Sequence, residues 1–194
     1  ATVKGMVLLP DGTPAAEAVV SIDGRGILAD GDGRFTLPQV LVKPNVAQEI
    51  LAATRDGLRT GRNTIIVNEP NQLLQNVVIT LSGLGIVEIT VTDSAHNPIS
   101  DQEVALLGNC NNACGCIAVK TNAQGRARFT DLPIGRITAR ATRSGAGYID
   151  QTQTSVSLTR DGETAFGILA FSGVGTVAGI VLDPANHPAL GADV

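Results

Sequence analysis

Tryptophan is absent from this chain of 194 residues, and aromatic side chains make up only 3% of it. A buried core must therefore be built mainly from Val, Ile, Leu and Ala, within a hydrophobic content of 43%. Charged residues are also sparse, at 16%, and the formal net charge is −4. The apolar content excludes a disordered chain, and the negative net charge argues against a nucleic-acid-binding protein.

Long apolar runs are missing as well. No stretch of about 18 apolar residues occurs, so we expect no membrane-spanning helix. The start at Ala1 is typical of a strand and not of a signal peptide, as in a mature or excised fragment. No Ser/His/Asp set, paired-acid set or phosphate-binding loop is evident, so neither an enzyme nor a cofactor is expected.

One short cassette occurs three times. It begins at Val3, Val87 and Val177, with a proline 11 residues later and a closing valine 6 residues after that proline. An Asp/Asn/Gly/Pro turn lies between two apolar stretches in each copy, which is typical of strand, turn and strand. Recurrence of one pattern along a chain indicates tandem copies of one structural unit.

The spacing of the cassettes predicts the domain organisation. Residues 1–84 and 85–174 each hold about seven short strands with Gly-rich turns, which is typical of β-sandwiches, and residues 175–194 hold the first strands of an incomplete third repeat. Residues 46–55 could be helical in isolation, but their match to the alternating segment 137–143 favours a strand. The joins Ser82-Gly83-Leu84-Gly85 and Ser172-Gly173-Val174-Gly175 are too short for free bending, so we expect a rod.

The three cysteines, Cys110, Cys114 and Cys116, lie in one loop that the first repeat lacks. The loop offers no fourth ligand and no nearby histidine, so a closed zinc site is a poor fit. We expect one local disulfide in an oxidising compartment, with the partner of Cys110 left open.

The second repeat carries a wider pattern: Asp93 to Pro98, Gly125 to Phe129, Leu132-Pro133-Ile134-Gly135 and Gly147-Tyr148. It resembles the carboxypeptidase regulatory-like, transthyretin-like (prealbumin-like) sandwich repeats of bacterial extracellular proteins. The first repeat keeps 31–35 but lacks the Leu-Pro-x-Gly bend. The resemblance implies an all-β fold of tandem Ig-like or transthyretin-like antiparallel sandwiches. It also implies a spacer, adhesive or filament role outside the cell or on its surface.

Candidate binding residues each have a plainer interpretation. Asp30 and Asp32 superficially resemble a calcium loop, but Leu41 stands where the distal Glu would be, so a hairpin turn is favoured and no metal is expected. By parity, four arginines could form one outer stripe for an acidic glycan or a neighbouring subunit, although a solvated face is favoured. They are Arg126, Arg128, Arg136 and Arg140. Lys4 could form an internal cross-link with an asparagine. We do not expect one, because the second repeat has Glu88 at the position equivalent to Lys4.

The incomplete third repeat suggests how the chain assembles, because a lone hairpin is marginally stable in water. Its assembly segment comprises Val177, Ile180, Val181, Leu182 and Val194. Either the continuation of a longer repeat chain or another copy of this chain would complete it. The leading hypothesis is a non-enzymatic extracellular rod or fibre segment. The alternatives are an adhesin-type module for a glycan or calcium, and an accessory region of a larger secreted enzyme.

Overall fold

The computed structural model describes residues 1–107, 117–145, 148–173, 175, 178–185 and 187–189. Every regular element in these ranges is a β-strand, so the all-β prediction is confirmed, and none of the described residues forms a helix that could cross a bilayer. The first seven strands are β1 (Thr2–Leu8), β2 (Val19–Ile22), β3 (Arg25–Leu28), β4 (Arg34–Leu37), β5 (Ala47–Ala53), β6 (Thr60–Ile66) and β7 (Leu73–Thr80). The next seven are β8 (Leu84–Thr92), β9 (Glu103–Leu107), β10 (Ala118–Lys120), β11 (Arg126–Pro133), β12 (Gly135–Gly145), β13 (Tyr148–Leu158) and β14 (Thr164–Ala170).

The first sandwich packs a three-stranded sheet, β4-β1-β7, against a four-stranded sheet, β3-β2-β5-β6. Side chains alternate along each strand, so in β5 Ile50 and Ala52 are buried while Glu49 and Leu51 are exposed. The segment 46–55 is therefore a strand, as predicted, and it pairs with β2 and β6.

The second sandwich repeats this topology with β11-β8-β14 packed against β10-β9-β12-β13. In β12, Ile137, Ala139 and Ala141 face the core, as their alternation predicts. Neighbouring strands are antiparallel, as expected, except for one pair in each sandwich. The last strand of each sandwich runs parallel to the first, β7 beside β1 and β14 beside β8. No tight turn joins the two strands of a parallel pair. The chain between them passes through the opposite sheet, which allows the last strand to run in the same direction as the first.

All three cassettes form the same turn. An isolated antiparallel bridge closes each one, at Leu8–Pro14, Thr92–Pro98 and Leu182–Pro188. In the second, the Asp93 carboxylate accepts hydrogen bonds from the backbone N–H groups of Ala95 and Asn97. Bonds from the Asn97 side chain and backbone lower the pKa of Asp93 below its usual value. Asp183 caps the third turn through the same two positions.

The third cassette differs from the others in burial. Val7 and Val91 occupy equivalent positions in β1 and β8, and both are fully buried, whereas Val181 is 43% exposed. Ile180 and Leu182 beside it are exposed too. The described part of this cassette therefore has the turn of a sandwich repeat without the core that covers its strand in the other two.

Candidate functional site: the joint between the two sandwiches

The predicted arginine stripe does not form on one face. Arg126 and Arg128 lie on β11, whereas Arg136 and Arg140 lie on β12, which belongs to the opposite sheet of the same sandwich. Because the inner faces of the two sheets share one core, these two pairs point away from each other. Parity decides which face of a strand a side chain takes, but not which sheet the strand joins.

The acidic segment of the first sandwich forms a tight turn between β3 and β4. These strands lie in opposite sheets, so the turn is not the hairpin that the sequence predicted. The Asp30 carboxylate accepts the backbone N–H groups of Asp32 at 3.0 Å and Arg34 at 2.8 Å, and Gly33 has a φ of +71°. Its Oδ1 atom thus caps the turn that leads into β4. Among the described residues, no three His, Cys, Asp or Glu side chains gather in a metal-holding arrangement.

Several predicted site residues lie outside the described residues. These are Cys110, Cys114 and Cys116, in the loop between β9 and β10, and Val177 and Val194 of the third cassette. The disulfide therefore stays a prediction.

The structure shows an ion pair between the two sandwiches that the sequence analysis did not predict. Arg59 follows the β5–β6 turn of the first sandwich, and Asp161 lies in the β13–β14 turn of the second. Arg59 Nη1 donates to Asp161 Oδ1 at 2.7 Å and Nη2 donates to Oδ2 at 3.2 Å. This bidentate contact links residues 102 positions apart, and the two side chains are only 24% and 35% exposed. Paired N–H donors fix the guanidinium and the carboxylate in one plane, so the contact has directional specificity.

The same two side chains hold the linker between the sandwiches. Arg59 Nη1 also donates to the Ser82 carbonyl at 3.1 Å, and Asp161 Oδ1 also accepts from Leu84 N–H at 2.8 Å. Bonds from Arg59 and from the Leu84 backbone lower the pKa of Asp161, so this carboxylate remains ionised at neutral pH. The ion pair therefore connects three parts: the end of one sandwich, the linker and the beginning of the next.

Backbone bonds and close packing complete the joint. Ser82 N–H donates to the Thr60 carbonyl at 2.7 Å, and Ile134 N–H donates to the Gly83 carbonyl at 3.1 Å. A Cβ atom at Gly83 would overlap the Ile134 side chain and would lie 3.3 Å from the Asp161 Cα. Gly83 therefore allows close packing here, and a larger residue would force the Ile134 side chain to move. We call residues 59–60, 82–84, 134 and 161 the joint.

The sequence held a weak signal for the joint. Arg59 lies just beyond Asp56-Gly57, and Asp161 directly precedes Gly162, so both fall at turn signals. Nothing in either local sequence says that these turns face each other. That relation depends on the strand order of both sandwiches and on the direction of the linker, which local patterns do not encode.

Solved structures of bacterial pilins have a fold similar to that of this chain. No family model matches the chain, and the search of curated proteins found no match. The minor pilin GBS52 of Streptococcus agalactiae is similar over 91% of this chain and 98% of its own, with 13% identity and a TM-score of 0.58. A streptococcal ancillary pilin is similar over 88% of this chain and 62% of its own, with 13% identity and a TM-score of 0.51.

These similarities show the fold alone. The chain spans 34% of the length of the Bacillus anthracis TIE protein, at 18% identity and a TM-score of 0.42, and less than two thirds of the ancillary pilin. The chain has the tandem β-sandwich architecture found in pilins of Gram-positive bacteria.

Proposed function

We propose that this chain is a non-enzymatic segment of an extracellular structural fibre, built from β-sandwich repeats that are fixed end to end. Residues 1–84 and 85–174 form two successive repeats and residues 175–194 begin a third. The observation that carries this proposal is the joint. Its bidentate ion pair has side chains that are at most 35% exposed, and it also bonds to the backbone on both sides of Gly83. Such contacts hold two sandwiches in one orientation. A rigid rod requires that successive sandwiches keep one relative orientation.

Two further observations support a surface-fibre role. Solved structures of similar fold include a minor pilin and an ancillary pilin, and this similarity supports a location at the cell surface. The same turn and closing bridge occur in all three cassettes, and an aspartate caps the turn at the equivalent position in the second and third, so the repeat is built for extension along the chain. We also propose, from the sequence resemblance, that the repeats belong to the carboxypeptidase regulatory-like family.

We propose further that added strands complete the third repeat. Val181 occupies a position that is fully buried in both sandwiches, and in each sandwich the strand that carries it has a neighbour on both sides. In the described residues, Val181 has only the bridge of its own turn, between Leu182 and Pro188. A second copy of this chain, or the continuation of a longer repeat chain, would supply the missing strands.

Sedimentation velocity tests completion by a second copy. The whole chain should associate as its concentration rises, and Val181→Asp should abolish association because a charge would enter the new core. Ile149→Asp is the matched control, since Ile149 is 76% exposed on β13 and should leave association unchanged. A chain that stays monomeric at all concentrations contradicts completion by a second copy and leaves the longer chain as the source of the strands.

The predicted arginine stripe no longer supports the adhesin alternative, because the four arginines are divided between opposite sheets. A binding role would have to rest on another surface. The first sandwich offers one, on the outer face of its three-stranded sheet.

A further inference from the structure

A concavity of about 420 Å³ lies on the three-stranded sheet β4-β1-β7 of the first sandwich. Its polar lining includes Lys4, Arg34, Gln75 and Asn76, and Met6 and Val78 add apolar surface. The volume falls in the range of sites that hold small ligands, roughly 300–1,000 Å³.

An irregularity in the pairing of β1 and β7 underlies the concavity. Val3 pairs with Leu74 and Gly5 pairs with Val77, so β7 has one extra residue opposite Lys4. The backbone of Asn76 takes a φ of +61° to accommodate this residue. A β-bulge of this kind redirects side chains and bends the strand, and bulges are frequent beside binding sites.

The second sandwich lacks this irregularity at the equivalent place. β8 and β14 pair without a register shift, and Glu88, which occupies the position of Lys4, lies opposite Phe166. Arg126 corresponds to Arg34, and its guanidinium forms an ion pair with Glu88 at 3.1 Å. The second sandwich therefore neutralises its cation, and it serves as an internal comparison for the first.

The concavity in the first sandwich carries uncompensated positive charge. Lys4 and Arg34 lie on neighbouring strands, because Lys4 pairs with Thr36 and Met6 pairs with Arg34. No acidic side chain lines the concavity, and neither cation forms an ion pair with a carboxylate in the described part of the chain. On a chain with a net charge of −4, this spot favours an anion.

We propose that this concavity binds a carboxylate-bearing sugar, such as a uronic acid unit of an acidic polysaccharide. Lys4 and Arg34 bind the carboxylate, the amides of Gln75 and Asn76 bond the ring hydroxyls, and Met6 and Val78 contact the apolar face of the ring. This ligand site goes beyond the structural role and does not depend on it.

A sugar fits better than an extended peptide. Peptides that add to a sheet need a free strand edge, and β1 at the centre of this concavity pairs with β4 on one side and β7 on the other. The contacts available to a ligand are therefore side chains on a sheet face, which suit a compact polar ring.

Nuclear magnetic resonance titration of the whole chain with a galacturonic acid disaccharide tests the proposal. Backbone amides at Lys4, Arg34, Gln75 and Asn76 should shift, and raising NaCl from about 20 to about 300 mM should weaken binding, because salt screens exposed charges. The double variant Lys4→Gln/Arg34→Gln should bind about tenfold more weakly or worse, since it loses charge-assisted bonds. Arg126→Gln is the matched control and should bind as the wild type does.

Two comparison ligands make the test specific. A neutral galactose disaccharide should cause no shifts at these amides, and N-acetylglutamate should bind at least about tenfold more weakly than the acidic disaccharide. Absence of shifts with the acidic disaccharide overturns the proposal, as does equal binding of the neutral one. Equal binding of N-acetylglutamate overturns the assignment to a sugar. Because Lys4 and Arg34 are exposed and form no ion pair with a described carboxylate, the double variant should keep the wild-type melting temperature.

Discussion

Breaking the Arg59–Asp161 ion pair should uncouple the two sandwiches. Arg59→Ala removes the bidentate contact and the bond to the Ser82 carbonyl. Asp161→Asn removes the charge but keeps an oxygen that can accept Leu84 N–H. The two variants and their combination form a double-mutant cycle, which isolates the free energy of the pair from the bonds that each residue makes to the linker.

The magnitude follows from geometry and exposure. Exposed ion pairs contribute about 0.2–1 kcal/mol, and bidentate Arg–carboxylate geometry raises that value. With 24% and 35% of the two side chains exposed, solvent still screens the pair in part, so we expect a coupling free energy of about 1 kcal/mol. Arg59→Ala alone should cost about 2 kcal/mol, because it also loses the hydrogen bond to Ser82.

Urea unfolding followed by methyl resonances can measure this coupling, with Ile50 reporting on the first sandwich and Ile89 on the second. The matched control is the pair Arg62–Glu49, which lies within the first sandwich at 3.3 Å with side chains 78% and 51% exposed. Its cycle should give less than about 0.5 kcal/mol. A coupling for Arg59–Asp161 no larger than this control refutes the assignment of the joint as an energetic link.

Three further outcomes follow from the structure. Hydrogen bonds from Arg59 and the Leu84 backbone hold the pKa of Asp161 below that of an unfolded aspartate. Its stabilisation should therefore be complete above the unfolded-state pKa and lost as pH falls through the folded-state pKa, so repeating the cycle from about pH 6 to about pH 2 should show a coupling that vanishes only in acid. Gly125→Ala should lower the free energy of unfolding in urea by at least about 2 kcal/mol, since φ is +70° and the new Cβ would lie 2.7 Å from the Val91 carbonyl oxygen. Gly162→Ala, where φ is +73° and no atom lies near the new Cβ, should lower it by about 1 kcal/mol. Equal losses in the two variants would contradict the argument from close packing at Gly125. Val91→Asp should unfold the second sandwich, whereas Val181→Asp should change the melting temperature of the dilute chain little, and a large loss there would mean that Val181 is already in a core.

Much of the fold could be predicted from the sequence because its signals are local. The cassette spacing located three equivalent turns, and the alternation in 137–143 identified a strand with its buried face. What failed was the assignment of strands to sheets. Arg126 and Arg136 have outward parity, yet they lie on opposite sheets, because the corner between β11 and β12 moves the chain from one sheet to the other.

The two sites depend on relations that local patterns do not contain. The joint requires that Arg59 and Asp161, 102 residues apart, meet across two independently folded ends. The concavity requires one extra residue in β7 opposite Lys4, and that irregularity is visible only once the strands are paired. Loops and bulges are set by tertiary packing, so single-sequence patterns miss the sites built on them.

If the joint fixes the two sandwiches in one orientation, both should align as one body in solution. Residual dipolar couplings, measured for the backbone amides of residues 2–80 and 84–170 in one aligned sample, test it most directly. The wild type should show one alignment tensor for both sandwiches, and Arg59→Ala should show two tensors of different magnitude. Two different tensors in the wild type would show that the sandwiches reorient independently, and would contradict a fixed fibre segment.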